Sequence, residues 1–260
     1  MQAICFFDID NTLVPFGQTD IRKEEKDVLD KLKENGHYVF INSGRSLSFT
    51  PDYILKYPFS GYALGCGTYL EINHQLISYF EFDSSFCKEI IEDVKKYNLS
   101  VVFEGHYGHV FYSQVGHPTV TKLYHTCVSQ NTPVFDIDDP NYKFSKFCIF
   151  QTEVNRENEF VQKYQDKLDF IERSENFLEV VPKGYSKGEA VIQIANKLNI
   201  PLENCWCFGD STNDLSMLQV VKHSVVMGNG DEEVKKIAEF VTHDCTDDGI
   251  AYACKYYGLI

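Results

Sequence analysis

Residues 4–14, ICFFDIDNTLV, run from four apolar side chains into two carboxylates, Asp8 and Asp10, with one residue between them. An unbroken apolar run of this length reads as a strand buried on both faces of a parallel sheet. Open α/β sheets bind ligands in the crevice beyond the carboxyl ends of their strands. Two acids placed there call for a chemical task.

The surrounding sequence supports such a sheet. Residues 3–9, 38–42 (YVFIN) and 61–66 (GYALGC) read as buried strands. Between the first two, TDIRKEEKDVLDKLKENG (19–36) reads as a helix with Thr19 or Asp20 as N-cap and a stop at Gly36. Strand, helix, strand at that spacing predicts a right-handed parallel crossover. The C-terminal part repeats the rhythm: SKGEAVIQIANKLNI opens on the capping-box pair Ser186 and Glu189, CWCFGD follows as a strand, and NDLSMLQVV, HSVVMG and DEEVKKIAEF alternate helix and strand. Asp231, Glu232 and Glu233 begin the last of these helices, where their charge suits its dipole.

The middle differs. From about residue 80 to 183 there are longer aromatic-rich strand patterns, VVFEGHYGHVFYSQ and YKFSKFCIFQ, beside helical stretches such as SSFCKEIIEDVKKYN. The expected fold is α/β: a Rossmann-like doubly wound parallel sheet core, residues 1–79 and 184–260, with an inserted α+β cap domain, 80–183, over the strand ends.

Bulk composition narrows the function. With 24 Lys and Arg against 38 Asp and Glu, the formal net charge is −14. That argues against a broad nucleic-acid or lipid-headgroup surface. An anionic substrate must then be drawn in by local cations or a metal. The N-terminus lacks a basic region and cleavage site, and no apolar run approaches the length of a membrane span, so a cytoplasmic location without membrane is expected. The nine cysteines are scattered, without a CxxC pair, and read as buried and reduced. Nothing in the sequence fixes an oligomeric state.

Four predicted strands or helix starts deliver polar residues to the same end of the sheet. They carry Asp8, Asp10 and Thr12; Ser43, Gly44 and Arg45 (INSGRS); Lys187; and Asp210, Asn213 and Asp214 (GDSTND). Asp8 and Asp210 can hold a hard cation, and Mg2+ favours a few carboxylates with waters and substrate phosphate. An Asp can attack phosphorus, splitting a difficult hydrolysis into two steps. Ser43, Gly44 N–H and Lys187 suit the equatorial phosphate oxygens. Asp10 is placed to protonate the leaving alkoxide and later to accept a proton from water.

The segments DIDNTLV, NSGRS, SKGEA and GDSTNDLSML resemble, in order, the four motifs of the haloacid-dehalogenase-like phosphatases, and VVMGNGDEEVKKIA and CTDDGIA look like endings of the Cof-type sugar-phosphate branch. The resemblance covers roughly 1–80 and 184–260. It implies Mg2+ held by Asp8, Asp10 and Asp210 with Asp214 behind them, phosphate contacts from Thr12, Ser43, Gly44, Lys187 and Asn213, and a small phosphorylated metabolite as substrate. Asn11 stands where Gly is commoner, and Ser43 where Thr is commoner. An insertion after the second motif implies the larger α/β cap.

Each feature has a blander reading. Paired acids at a strand end are often turn or cap residues, GDSTND is also an Asx-rich turn, and a lone Lys at a helix start is usually solvated. Their combination outweighs these. Arg45 reads either as a substrate-side contact or as a surface ion pair. His106, Tyr107, His109, Phe111 and Tyr112 read as sheet packing, and Lys183 and Tyr185 are left open. A phosphomutase, a P-type-ATPase-like phosphorylated domain and a regulatory module phosphorylated on Asp8 are the alternatives. Steady phosphate release from an aryl phosphate separates an enzyme from either phosphorylated module.

Overall fold

Ile4–Phe7 forms β1, every residue of it buried, and the chain leaves the strand at Asp8, earlier than the expected 3–9. A computed structural model provides the structure and describes residues 2–151, 157–174 and 176–260. Helix α1 (Lys23–Glu34) buries Glu25, Val28, Leu29 and Leu32, the i, i+3, i+4, i+7 stripe of an amphipathic helix. Its N-cap is Arg22, not Thr19 or Asp20. Asp20 instead accepts from the Ile21 N–H at 2.8 Å and from Lys26 Nζ at 2.9 Å, which ties it into a local turn before the helix. Gly36, at φ +83°, ends α1 in the left-handed region as expected.

The chain continues through β2 (Tyr38–Asn42), the short α2 (Asp52–Leu55), β3 (Gly61–Leu64) and β4 (Tyr69–Ile72). Strand β5 (Gln75–Tyr79) follows after two residues, Asn73 and His74, both at positive φ, the backbone of a tight hairpin turn.

Two compact units divide the chain: Met1–Gly44, Thr50–Ser78 and Ser186–Ile260 in one, Arg45–Phe49 and Tyr79–Tyr185 in the other. The second unit contains α3 (Ser84–Lys96), β6 (Ser100–Glu104), β7 (His109–Tyr112), α4 (Pro118–Ser129), β8 (Lys146–Phe150), α5 (Glu157–Tyr164), β9 (Leu168–Ser174) and β10 (Phe177–Pro182). Its sheet is antiparallel, in the order β7-β6-β8-β10-β9. The stretch read as one long strand, VVFEGHYGHVFYSQ, is a hairpin: Gly105 N–H donates to Gly108 O at 3.0 Å, and two glycines turn the chain. Tyr107 therefore sits at an exposed tip instead of packing in the sheet. His109 is fully buried and stacks on Phe49 at 3.6 Å. Lys146 on β8 lies buried between Glu104 of β6, at 3.1 Å, and Glu179 of β10, so a charge triad spans three neighbouring strands. The Ser46 N–H donates to Glu104 and Ser48 Oγ to Gly105 O, which fastens Arg45–Phe49 to this sheet.

The first unit is completed by α6 (Lys187–Leu198), β11 (Cys205–Gly209), α7 (Leu215–Val220), β12 (His223–Val226), the one-turn α8 (Glu232–Lys235), β13 (Phe240–Val241) and α9 (Gly249–Tyr256). Ser186 caps α6 through the Glu189 N–H at 3.0 Å, and Asn199 closes it at φ +54°. The eight strands run β13-β12-β11-β1-β2-β3-β4-β5, parallel from β13 to β3, with β4 antiparallel to β3. Phe7 of β1 faces Phe208 of β11 in register and the rings stack at 4.6 Å, a cross-strand aromatic pair at the centre of the sheet. Cys205 and Cys207 share one buried face, and none of the nine cysteines forms a disulfide among the described residues. No helix among the described residues is long and apolar enough to cross a membrane.

Candidate active site

The chain moves from β1 outward to β2 and β3 on one side, then resumes at β11 and moves outward to β13 on the other. Sheets with such a reversal bind ligands beyond the carboxyl ends of the two strands that flank it, here β1 and β11. Asp8 is the first residue after β1 and Asp210 the first after β11. A main-chain bond from Asp8 N–H to Phe208 O, 3.0 Å, locks the two strand ends together.

Lys187, at the first turn of α6, extends its ammonium between two acids. Nζ donates to Asp8 Oδ1 at 2.6 Å and to Asp214 Oδ1 at 2.6 Å, and all three side chains are buried. The other oxygen of Asp214 accepts from the N–H groups of Asp210, at 2.9 Å, and Ser211, at 3.1 Å. Asp214 thus ties Lys187 to the loop that carries Asp210. Both glycines flanking this arrangement are required by space. A Cβ on Gly209 would lie 2.6 Å from the Asp214 carboxylate, and one on Gly188 would lie 2.3 Å from Ser216 O.

Carboxylate oxygens of Asp8, Asp210 and Asp214 lie within 4.8 Å of one another. Three acids around one lysine leave the cluster short of positive charge. Burial, chiefly, pushes the Asp8 carboxyl up to about 6, with Asp214 and Asp10 adding to the rise and Lys187 opposing it. Burial also lifts Asp210 to about 8, reinforced by Asp8 and Asp214. Such a set of oxygen-only, acidic donors fits a hard divalent cation. Asp8 and Asp210 could hold it, while both oxygens of Asp214 are engaged by Lys187 and main-chain amides.

Of the other residues named from sequence, Thr12 is bonded into this cluster. Thr12 is buried and its hydroxyl donates to Asp210 Oδ1 at 3.1 Å, so it steadies a carboxylate. Ser43 is buried just after β2, its N–H bonded to Ala63 O at 2.9 Å. Asp10 is exposed and bridges in main chain to Val14. Asn213 accepts from Ser211 Oγ at 2.7 Å, while Ser211 and Asp214 form the capping box of that turn. Gly44 ends its segment of the first unit. Arg45 belongs to the second, where its Nη1 donates to Phe49 O at 3.1 Å. There too Lys183 pairs with Asp169 at 2.7 Å, and Tyr185 packs on Phe80.

Two residues escaped the sequence reading. Asn42, fully buried at the end of β2, donates from Nδ2 to Lys187 O at 2.9 Å and so positions the start of α6. Its signal was present: a polar residue closing the apolar run YVFIN. Asn229 donates to Asn11 O at 2.8 Å and accepts from Cys245 N–H at 2.8 Å, joining the β1 loop to the loop before α9.

The family model for haloacid dehalogenase-like hydrolases matches residues 5–254. The chain is 31% identical to YkrA of Bacillus subtilis (strain 168) over 99% of this chain and 98% of that one. It is 24% identical to the 5-amino-6-(5-phospho-D-ribitylamino)uracil phosphatase YcsE of the same organism, over 97% and 94%. Among solved structures, the subclass IIB sugar phosphatase BT4131 superposes with a TM-score of 0.84 at 25% identity, covering 99% of this chain and 100% of that one.

Proposed function

Because this chain belongs to the haloacid dehalogenase-like hydrolases, we propose that it is a Mg2+-dependent phosphatase of small phosphomonoesters, sugar phosphates or related metabolites, working through an aspartyl-phosphate at Asp8. The observation that carries this reading is Lys187 at 2.6 Å from both Asp8 and Asp214, with Asp210 in the same buried cluster. Similarity to BT4131 and YcsE, both named as phosphatases, supports the substrate class.

An Asp8 carboxylate oxygen attacks phosphorus. The bond from phosphorus to the ester oxygen breaks, and the departing alkoxide takes a proton from Asp10. Water then attacks the phosphorus of the acyl phosphate, Asp10 accepts its proton, and the carboxylate of Asp8 is released with inorganic phosphate. Lys187 keeps Asp8 oriented and opposes charge on the phosphoryl oxygens, with Ser43 and the Gly44 N–H as further donors. Asp8, Asp210 and the main chain of Asp10 would hold Mg2+, which when bound would supply further positive charge against those oxygens.

A panel of phosphate esters, assayed with Mg2+ and with excess chelator, tests the activity. Quenched single turnover with labelled substrate tests the intermediate, which hydroxylamine should release. Absence of phosphate release across the panel overturns the reading.

A further inference from the structure

Phe16 is 93% exposed, the highest value for a large apolar side chain among the described residues. It is nevertheless held in a defined place. Gln18 N–H donates to Pro15 O at 3.1 Å and Gly17 has φ +83°, which makes Pro15–Gln18 a tight turn with Phe16 at its first corner. Asn11 Oδ1 accepts the Phe16 N–H at 3.0 Å. Asn11 itself sits at φ +59°, its N–H bonded to Val14 O at 2.9 Å and its carbonyl to Asn229 Nδ2 at 2.8 Å.

These bonds give a reason for asparagine at position 11. Glycine tolerates the left-handed backbone equally well, but has no side chain to hold the Phe16 amide. The clamp fixes the main chain at Phe16 on the loop that carries Asp10. Val14 bridges to Asp10, and two further residues add at most about 7 Å, so Phe16 stands within about 12 Å of the leaving-group acid. An exposed phenyl ring gains by covering the apolar face of another ring.

We infer that Phe16 is a specificity residue, and Asn11 its positioning residue, for phosphate esters whose alcohol is a ring with an apolar face, such as the C–H face of a pyranose. This rests on the phosphatase reading and adds to it the part of the substrate beyond the phosphate.

The test compares two primary alkyl phosphates, hexose 6-phosphate and glycerol 3-phosphate, so that leaving-group chemistry is matched. In Phe16→Ala, kcat/KM for the hexose ester should fall about tenfold through KM, with little change for the glycerol ester. Phe16→Tyr should keep the wild-type ratio, and Asn11→Gly should fall between. Thermal melting checks that each variant folds. An active wild type whose ratio is unmoved in Phe16→Ala, or whose two rates fall together, overturns the role of Phe16 alone. A wild type inert towards every phosphate ester overturns the phosphatase reading and this inference with it.

Discussion

Lys187 and Asp214 hold one another at 2.6 Å with neither side chain more than 1% exposed. Removing one partner of a buried pair leaves the other charge uncompensated. Lys187→Met should therefore lower stability by about 3–5 kcal/mol and abolish turnover. Denaturant unfolding and phosphate release measure the two losses. A variant as stable as the parent would show that the three acids do not depend on this ammonium.

Asp8→Asn should fold as well as the parent and lose activity to below about a hundredth. The sign of its stability effect follows from the raised carboxyl. A folded value near 6, above the ordinary 3.8, means ionised Asp8 weighs against the fold above the unfolded value, and fully so above pH 6. The amide removes that cost, so without added metal the variant should melt no lower than wild type at pH 7.

Asp10→Asn should separate substrates by leaving group. An aryl oxide leaves readily without a proton, whereas an alkoxide needs one. In single-turnover phosphorylation, the alkyl ester should slow more than the aryl ester. Equal slowing would remove Asp10 from leaving-group protonation.

Gly209→Ala should act through Asp214. The new methyl, 2.6 Å from the carboxylate, has to displace it from Lys187 and from the Asp210 N–H. Stability should fall by about 1–3 kcal/mol, and kcat by more than about tenfold, since misplacement of about 1 Å is costly in catalysis. Unchanged kcat would show that Asp214 does not position the site.

His109 gives the second unit a dependence on pH. Burial pushes its imidazole down to about 4, with Glu104 opposing the shift. The unfolded chain, with histidine near 6.5, then binds a proton that the folded chain refuses between those values. This contribution to stability is intact above pH 6.5 and is lost as pH falls towards 4, by up to about 3 kcal/mol. Melting of wild type and His109→Phe at pH 7 and pH 4.5 checks it. The wild type should lose more.

The loops of the candidate site were legible because each follows an apolar run on which the sheet depends. Asp8, Ser43 and Asp210 stand where such runs end, and Lys187 opens a helix with a readable cap. The hairpin at Gly105–Gly108 was hidden because β-favouring aromatics continue through the turn (His106, Tyr107). The start of α1 was misread because Asp20 satisfies the Ile21 amide and Lys26 in a turn of its own. Asn42 donates to Lys187 and Asn229 to Asn11, each more than a hundred positions away, a distance at which periodicity carries no information.

The grouping of Arg45–Phe49 with Tyr79–Tyr185 bears on how this protein can be recombined. A chimera that transplants 79–185 alone from a relative would import a foreign sheet beneath native Ser46, Ser48 and Phe49. Those residues would lose Glu104, Gly105 and the His109 ring as partners. The transplantable module is discontinuous: a five-residue segment must travel with the hundred-odd residues it is sewn to.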